Sequence, residues 1–163
     1  LVYSTMDRLE IIQRLKEFFV IGELVSEEVY NAYGNDSWAV IQKDTLHCLL
    51  IMREGIGKPF TINTWLWGGR FDERGFRENI CDISKNKTAK RILYTSGHVL
   101  GCAFDFTVKG MSSDDVRQWI VDNAELFPCK VRLENEMNGE SISWVHFDNK
   151  FYDRHPKVYL FNV

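Results

Sequence analysis

The chain has 163 residues, 45% hydrophobic and 26% charged, with a formal net charge of -3. That balance fits a globular domain able to bury its own core, and it excludes the basic footprint of a nucleic-acid binder. No apolar run approaches the ~20 residues of a membrane-spanning helix, and the opening LVYSTMDRLEII lacks the zones of a signal peptide. We therefore expect a single domain over residues 1–163, a monomer, synthesised in the cytoplasm, with neither nucleic acid nor membrane as partner. Residues 1–5 precede Met6, the first methionine, and are expected to be a remnant or the end of a longer chain.

Leu9, Ile12, Leu15 and Phe19 recur at helical spacing and predict a helix over residues 6–19. Ser26, followed by Glu27 and Glu28, opens a short helix ending near Gly34. Asp44 is a good N-cap for a helix running through TLHCLLIMRE to Gly55. PFTINTW (59–65) and CAFDFTV (102–108) carry strand signals. The stretch 66–97 between them reads as a long irregular segment, the kind that carries function. Ser113 caps a last helix, DDVRQWIVDNAELF, which Pro128 closes. CKVRLENEM and ESISWVHFD flank Asn138-Gly139, a two-residue hairpin turn, and KVYLFNV adds a final strand. Helices come first and strands later, without βα alternation. The expected class is α+β, a mainly antiparallel sheet with helices packed against it.

The four cysteines, 48, 81, 102 and 129, are dispersed without a CxxC pair. They are expected to be reduced thiols, most of them in the core. Of the four histidines, His47 lies within an apolar helix and reads as a core residue, and His155 reads as a surface residue before Pro156. His98 sits in a loop ahead of the 102–108 strand. Gly101 and Ala103 remove side chains that would keep that loop from folding back beside Asp105. His146, in the WVHFD strand, is the natural third partner. Three such groups plus a water make a catalytic zinc set; the alternative is a capped loop, a solvated Asp and a core histidine.

The pattern Ser96-x-His98-x-x-Gly101-x-Ala103-x-Asp105, followed by Trp144-x-His146-x-Asp148, resembles the zinc D-Ala-D-Ala metallopeptidase family. That family includes D-Ala-D-Ala carboxypeptidases, phage L-alanyl-D-glutamate endolysins and the hedgehog-type fold. GKPFTINTWLWGGRFDERGFR and ELVSEEVYNAYG are similar to phage and gut-bacterial members. The resemblance implies a hedgehog-like fold, a Zn2+ cofactor held by His98, Asp105 and His146, and cleavage of a peptidoglycan stem peptide. It also implies delivery to the cell wall by phage lysis or with a virion.

Many members place the general base three residues before the last histidine, where this chain has Ser143. Were Asn138 and Gly139 the turn of a regular hairpin, Met137 would pair with Glu140, and Glu134 would face Ser143 with Cβ atoms ~5 Å apart. Glu134 is therefore the first candidate base, Glu140 the second and Asp148 the third; a solvated Glu134 is the alternative. Asp148 shares a face with His146 and is a candidate to orient it. Ser96, Arg77 and Trp67 are the substrate-side candidates. Arg77 substitutes for an arginine that relatives place where Trp67 stands, and Arg70 ranks below it. Trp65, Trp67 and Trp144 either line a cleft or belong to the core. The expected activity is that of a zinc carboxypeptidase or endopeptidase of peptidoglycan. The alternative is a non-catalytic, zinc-stabilised binding or virion structural domain of the same fold.

Overall fold

The computed structural model describes residues 6–150 and 157–163, so the expectations for residues 1–5 and for His155 fall outside the described residues. Five α-helices and five strands follow in the order α1 (Arg8–Leu15), α2 (Glu27–Tyr33), α3 (Lys43–Ile56), β1 (Phe60–Thr61), α4 (Asp82–Ala89), β2 (Ala103–Val108), α5 (Ser113–Asp122), β3 (Val131–Met137), β4 (Glu140–Asp148) and β5 (Val158–Asn162). The class is α+β, as the order of helix and strand signals predicts.

α1, α2 and α5 start where short polar side chains take up orphan backbone donors. Asp7 accepts from the Glu10 amide at 2.9 Å, and Ser26 caps α2 through the Val29 amide. α1 is shorter than the apolar spacing predicts, ending at Leu15, although Phe19 is still buried. Two caps differ from the sequence expectation by one or two positions. Ser112, not Ser113, caps α5 by accepting from the Asp115 amide, and Gln42, not Asp44, precedes α3. α3 ends at Gly57, whose φ of 70° is left-handed. All eight residues from Thr45 to Met52 of α3 are buried, His47 among them, so this helix is the centre of the core.

The sheet has the order β1-β2-β4-β3-β5 and is mixed. This corrects the expectation of a mainly antiparallel sheet. β4 already has β2 on one side and β3 on the other, both antiparallel. The final strand therefore takes the free edge of β3, where it runs parallel, Val131 opposite Val158. The strand expected over residues 59–65 is confined to Phe60–Thr61, because Trp65–Trp67 coil into a 3-10 turn. The 66–97 stretch is not wholly irregular, since it contains α4.

Alternation divides the sheet. Phe104, Phe106, Leu133, Val145 and Phe147 join α1 and α3 in one apolar core. The opposite face carries Asp105, Arg132, Glu134, His146 and Asp148. That polar face is where the candidate site lies.

Candidate metal centre

β2, β4 and β3 bring Asp105, His146 and Glu134 into one row. Asp105 pairs across strands with His146, and His146 with Glu134. Directly paired residues share a face, so two carboxylates flank one imidazole. The adjoining row sets Ala103, Asp148 and Arg132 side by side.

His98 reaches this face from the turn over residues 97–101. A Cβ added to Gly97 would lie 2.9 Å from the Ala103 Cβ. At Gly101, φ is +72° and a Cβ would stand 2.3 Å from the Val40 carbonyl oxygen. Gly97 thus lets the turn lie close against β2, and Gly101 lets it pass the Val40 carbonyl. Cys102 N donates to Gly97 O at 2.9 Å and closes the turn. Ser96 Oγ accepts from the His98 amide at 3.3 Å.

The ligand atoms of His98, Asp105 and His146 all lie within 4.8 Å of one another. His98 is 4% exposed, and its Nδ1 lies 2.9 Å from the Gly75 carbonyl oxygen, which can only accept. That contact satisfies Nδ1 and leaves Nε2 as the ring atom facing Asp105 Oδ2, 3.3 Å away. His146 Nε2 lies 3.0 Å from Asp148 Oδ2, while Nδ1 faces Asp105 Oδ1 at 2.7 Å. Asp148 is itself held by both arms of Arg132, each at 2.8 Å. Nε2 of His98, Nδ1 of His146 and one carboxylate therefore converge, each histidine oriented by an acceptor behind it. This donor set fits zinc.

Electrostatics also favour a cation here. Burial alone would lower His146, but its hydrogen bonds to Asp105 and Asp148 outweigh this and lift it to about 10. Burial alone would raise Asp105; the charge and hydrogen bonds of His98 and His146 hold its carboxyl well below the usual carboxylate range. Burial pushes Glu134 up, against the pull of His146. The Glu134 carboxylate makes no hydrogen bond among the described residues, although the residue is only 8% exposed.

Glu134 reaches this row through an irregularity that the turn alone does not predict. Met137 pairs with Glu140 and Glu136 with Ser141, as a two-residue turn requires, but Glu134 then pairs with His146. Between those pairs β3 has one residue, Asn135, and β4 has four, Ile142 to Val145. The expected pairing of Glu134 with Ser143 is thus replaced. In a regular strand Ser143 and His146 point to opposite faces, so the regular register would have turned Glu134 away from the histidine. Arg117 of α5, 3% exposed, stands against this bulge. Its guanidinium donates to Ile142 O and Trp144 O, each at 3.0 Å, and to Glu134 O at 3.4 Å. Asp114 and Ser141 Oγ hold the same guanidinium at 2.8 and 3.2 Å. It takes up carbonyls at the point where the ladder is broken.

The remaining sequence candidates separate. Glu140 is exposed beside the hairpin turn, at the far end of β4 from His146, and is not brought to the cluster. Arg77 is buried and donates to Tyr94 Oη at 2.8 Å and Ser96 Oγ at 3.2 Å, so it braces the loop that carries His98. Trp67 is 64% exposed, and Trp65 donates to the Val25 carbonyl; neither borders the cleft beside the cluster. That cleft, about 590 Å³, has Asp105 and Trp144 in its wall together with Arg70, Arg74, Arg77 and Lys85. Arg74 was not singled out by the sequence. Its guanidinium stacks 3.7 Å from the centre of the Phe71 ring, its carbonyl accepts from the Asp105 amide at 2.7 Å, and its buried Nη1 has no partner among the described residues. The only sequence signal for it is its place in the arginine-rich 66–97 stretch. No family model, curated protein or solved structure matches this chain.

Proposed function

We propose that this chain is a zinc-dependent peptidase of the D-Ala-D-Ala metallopeptidase type, hydrolysing peptidoglycan stem peptides as a carboxypeptidase or an endolysin-type endopeptidase. The observation that carries this reading is the convergence of His98, Asp105 and His146 with Glu134 in the next strand of the same row. Zinc held by His98, Asp105 and His146 would supply a water of near-neutral pKa and polarise a peptide carbonyl.

The chain's own groups divide the remaining work. Glu134, buried and without a hydrogen-bond partner among the described residues, takes the proton of the attacking water and returns it to the leaving amine. Asp148, braced by Arg132, keeps the His146 ring turned so that Nδ1 faces the cluster. Arg77 holds Ser96 and with it the His98 turn. Arg74, in the cleft wall beside Asp105, contributes positive charge near where negative charge develops on the peptide. The cleft of about 590 Å³ has room for a short peptide.

The test is digestion of purified peptidoglycan, and of a D-Ala-ended stem peptide, by zinc-loaded protein, with released amines and D-alanine measured. Release of either product is the expected result. Stoichiometric zinc without any cleavage would transfer the reading to a non-catalytic, zinc-stabilised binding or virion structural domain.

A further inference from the structure

We propose that Cys48 and Cys129 form a dithiol that closes to a disulfide when the protein meets a low-molecular-weight disulfide such as oxidised glutathione. The four cysteines are free thiols. Two of them, 81 residues apart in sequence, have their sulfurs 3.7 Å apart. Cys48 lies in the middle of α3 and is fully buried; Cys129 lies half-buried in the turn ahead of β3. The neighbouring contact fixes this meeting of helix and sheet. Thr45, one turn before Cys48 on the same face of α3, donates to Asn149 Oδ1 at 2.7 Å. Cys81 and Cys102 have no such arrangement: Cys81 donates to Ser84 Oγ, and Cys102 is buried behind the His98 turn.

A disulfide needs its sulfurs at ~2.05 Å, so the pair must close from 3.7 Å. The two thiols are unequal. The hydrogen bond from Cys48 lowers the Cys129 thiol, whereas burial pushes Cys48 well up. Cys129, the more accessible and more acidic of the pair, attacks first. Its thiolate bonds to one sulfur of glutathione disulfide, the disulfide bond breaks, and one glutathione thiolate leaves. Cys48 then attacks the Cys129 sulfur, and the second glutathione leaves as a thiolate that takes up the Cys48 proton. Two protein thiols are oxidised, and one glutathione disulfide is reduced to two thiols. The closed bond staples the central helix to the start of β3. None of this depends on the peptidase reading.

Reduced protein is incubated with excess oxidised glutathione, quenched with acid and examined by thiol counting and non-reducing peptide mass mapping. The expected result is two thiols lost, no retained glutathione, a single 48–129 cross-linked peptide and a raised melting temperature. Cys48→Ala should instead retain one glutathione on Cys129, and Cys129→Ala should retain none. Wild-type protein that keeps glutathione on Cys129, as the Cys48→Ala variant does, would overturn the proposal. So would four thiols persisting in wild type while Cys48→Ala is glutathionylated.

Discussion

Asp105 and Asp148 place two carboxylates against one imidazole, and the chemistry of the cluster follows from that crowding. With His146 lifted to about 10, the metal-free protein carries a proton on that ring at neutral pH. Metal binding through Nδ1 must expel it. We expect about one proton released per metal ion at pH 7, and affinity that rises with pH toward 10. Calorimetry in buffers of different protonation enthalpy measures the number; zero release would count against His146 as a ligand. The same shift has a definite sign for stability. The folded value lies above the ordinary 6.5, so in metal-free protein this contribution is complete below pH 6.5 and is lost as pH rises through about 10.

Glu134 parts an enzyme from a binding domain. Glu134→Gln keeps the shape and removes the base, so peptide turnover should fall ~100-fold or more with zinc content unchanged. Equal turnover in the variant and wild type would remove Glu134 from the mechanism. Glu140→Gln, altering an exposed residue beside the turn, should leave turnover near wild type in the same assay.

At the scale of the elements, the β3–β4 hairpin is the part whose geometry the proposed activity depends on most. Its turn is local: Asn138 and Gly139 adopt φ of 53° and 81°, which their residue types permit. Its register further along is not local, because the bulge of β4 presents carbonyls to Arg117 from α5. Arg117→Met fills the space without the donors. Leaving those buried carbonyls unpaired should cost about 3 kcal/mol, measured by urea unfolding. If the variant stays folded, backbone contacts between Glu134 and His146, read by NMR, should weaken relative to wild type. Retention of both stability and those contacts would mean that the bulge does not need the guanidinium.

Across the whole molecule, one sheet face belongs to the core around α3 and the other to the cluster, and the three candidate ligands come from the 97–101 turn, β2 and β4. A bound metal ties these segments together and stabilises the folded state by mass action. At a free concentration of 100 times Kd that is about 2.7 kcal/mol, which for a domain of this size raises the melting temperature by roughly 5–10 °C. Scanning calorimetry of chelator-treated and zinc-restored protein checks this; identical melting curves would argue against a metal tying the two strands to the turn.

The sequence by itself determined four of the five described helices to within a few residues and the Asn138-Gly139 turn, but not α4; its resemblance pattern singled out His98, Asp105 and His146. The helices and the turn depend on local rules: polar caps, apolar periodicity and residue types that permit a positive φ. Tertiary structure decided the rest. β5 became parallel because β4 had no free edge, and Glu134 came to face His146 through a bulge supported from another helix. Arg74 gained its place beside Asp105 by folding of the 66–97 stretch, and Cys48 met Cys129 only once α3 docked on the sheet. Each of these depends on which segments meet across long stretches of chain, and short-range residue patterns do not encode that.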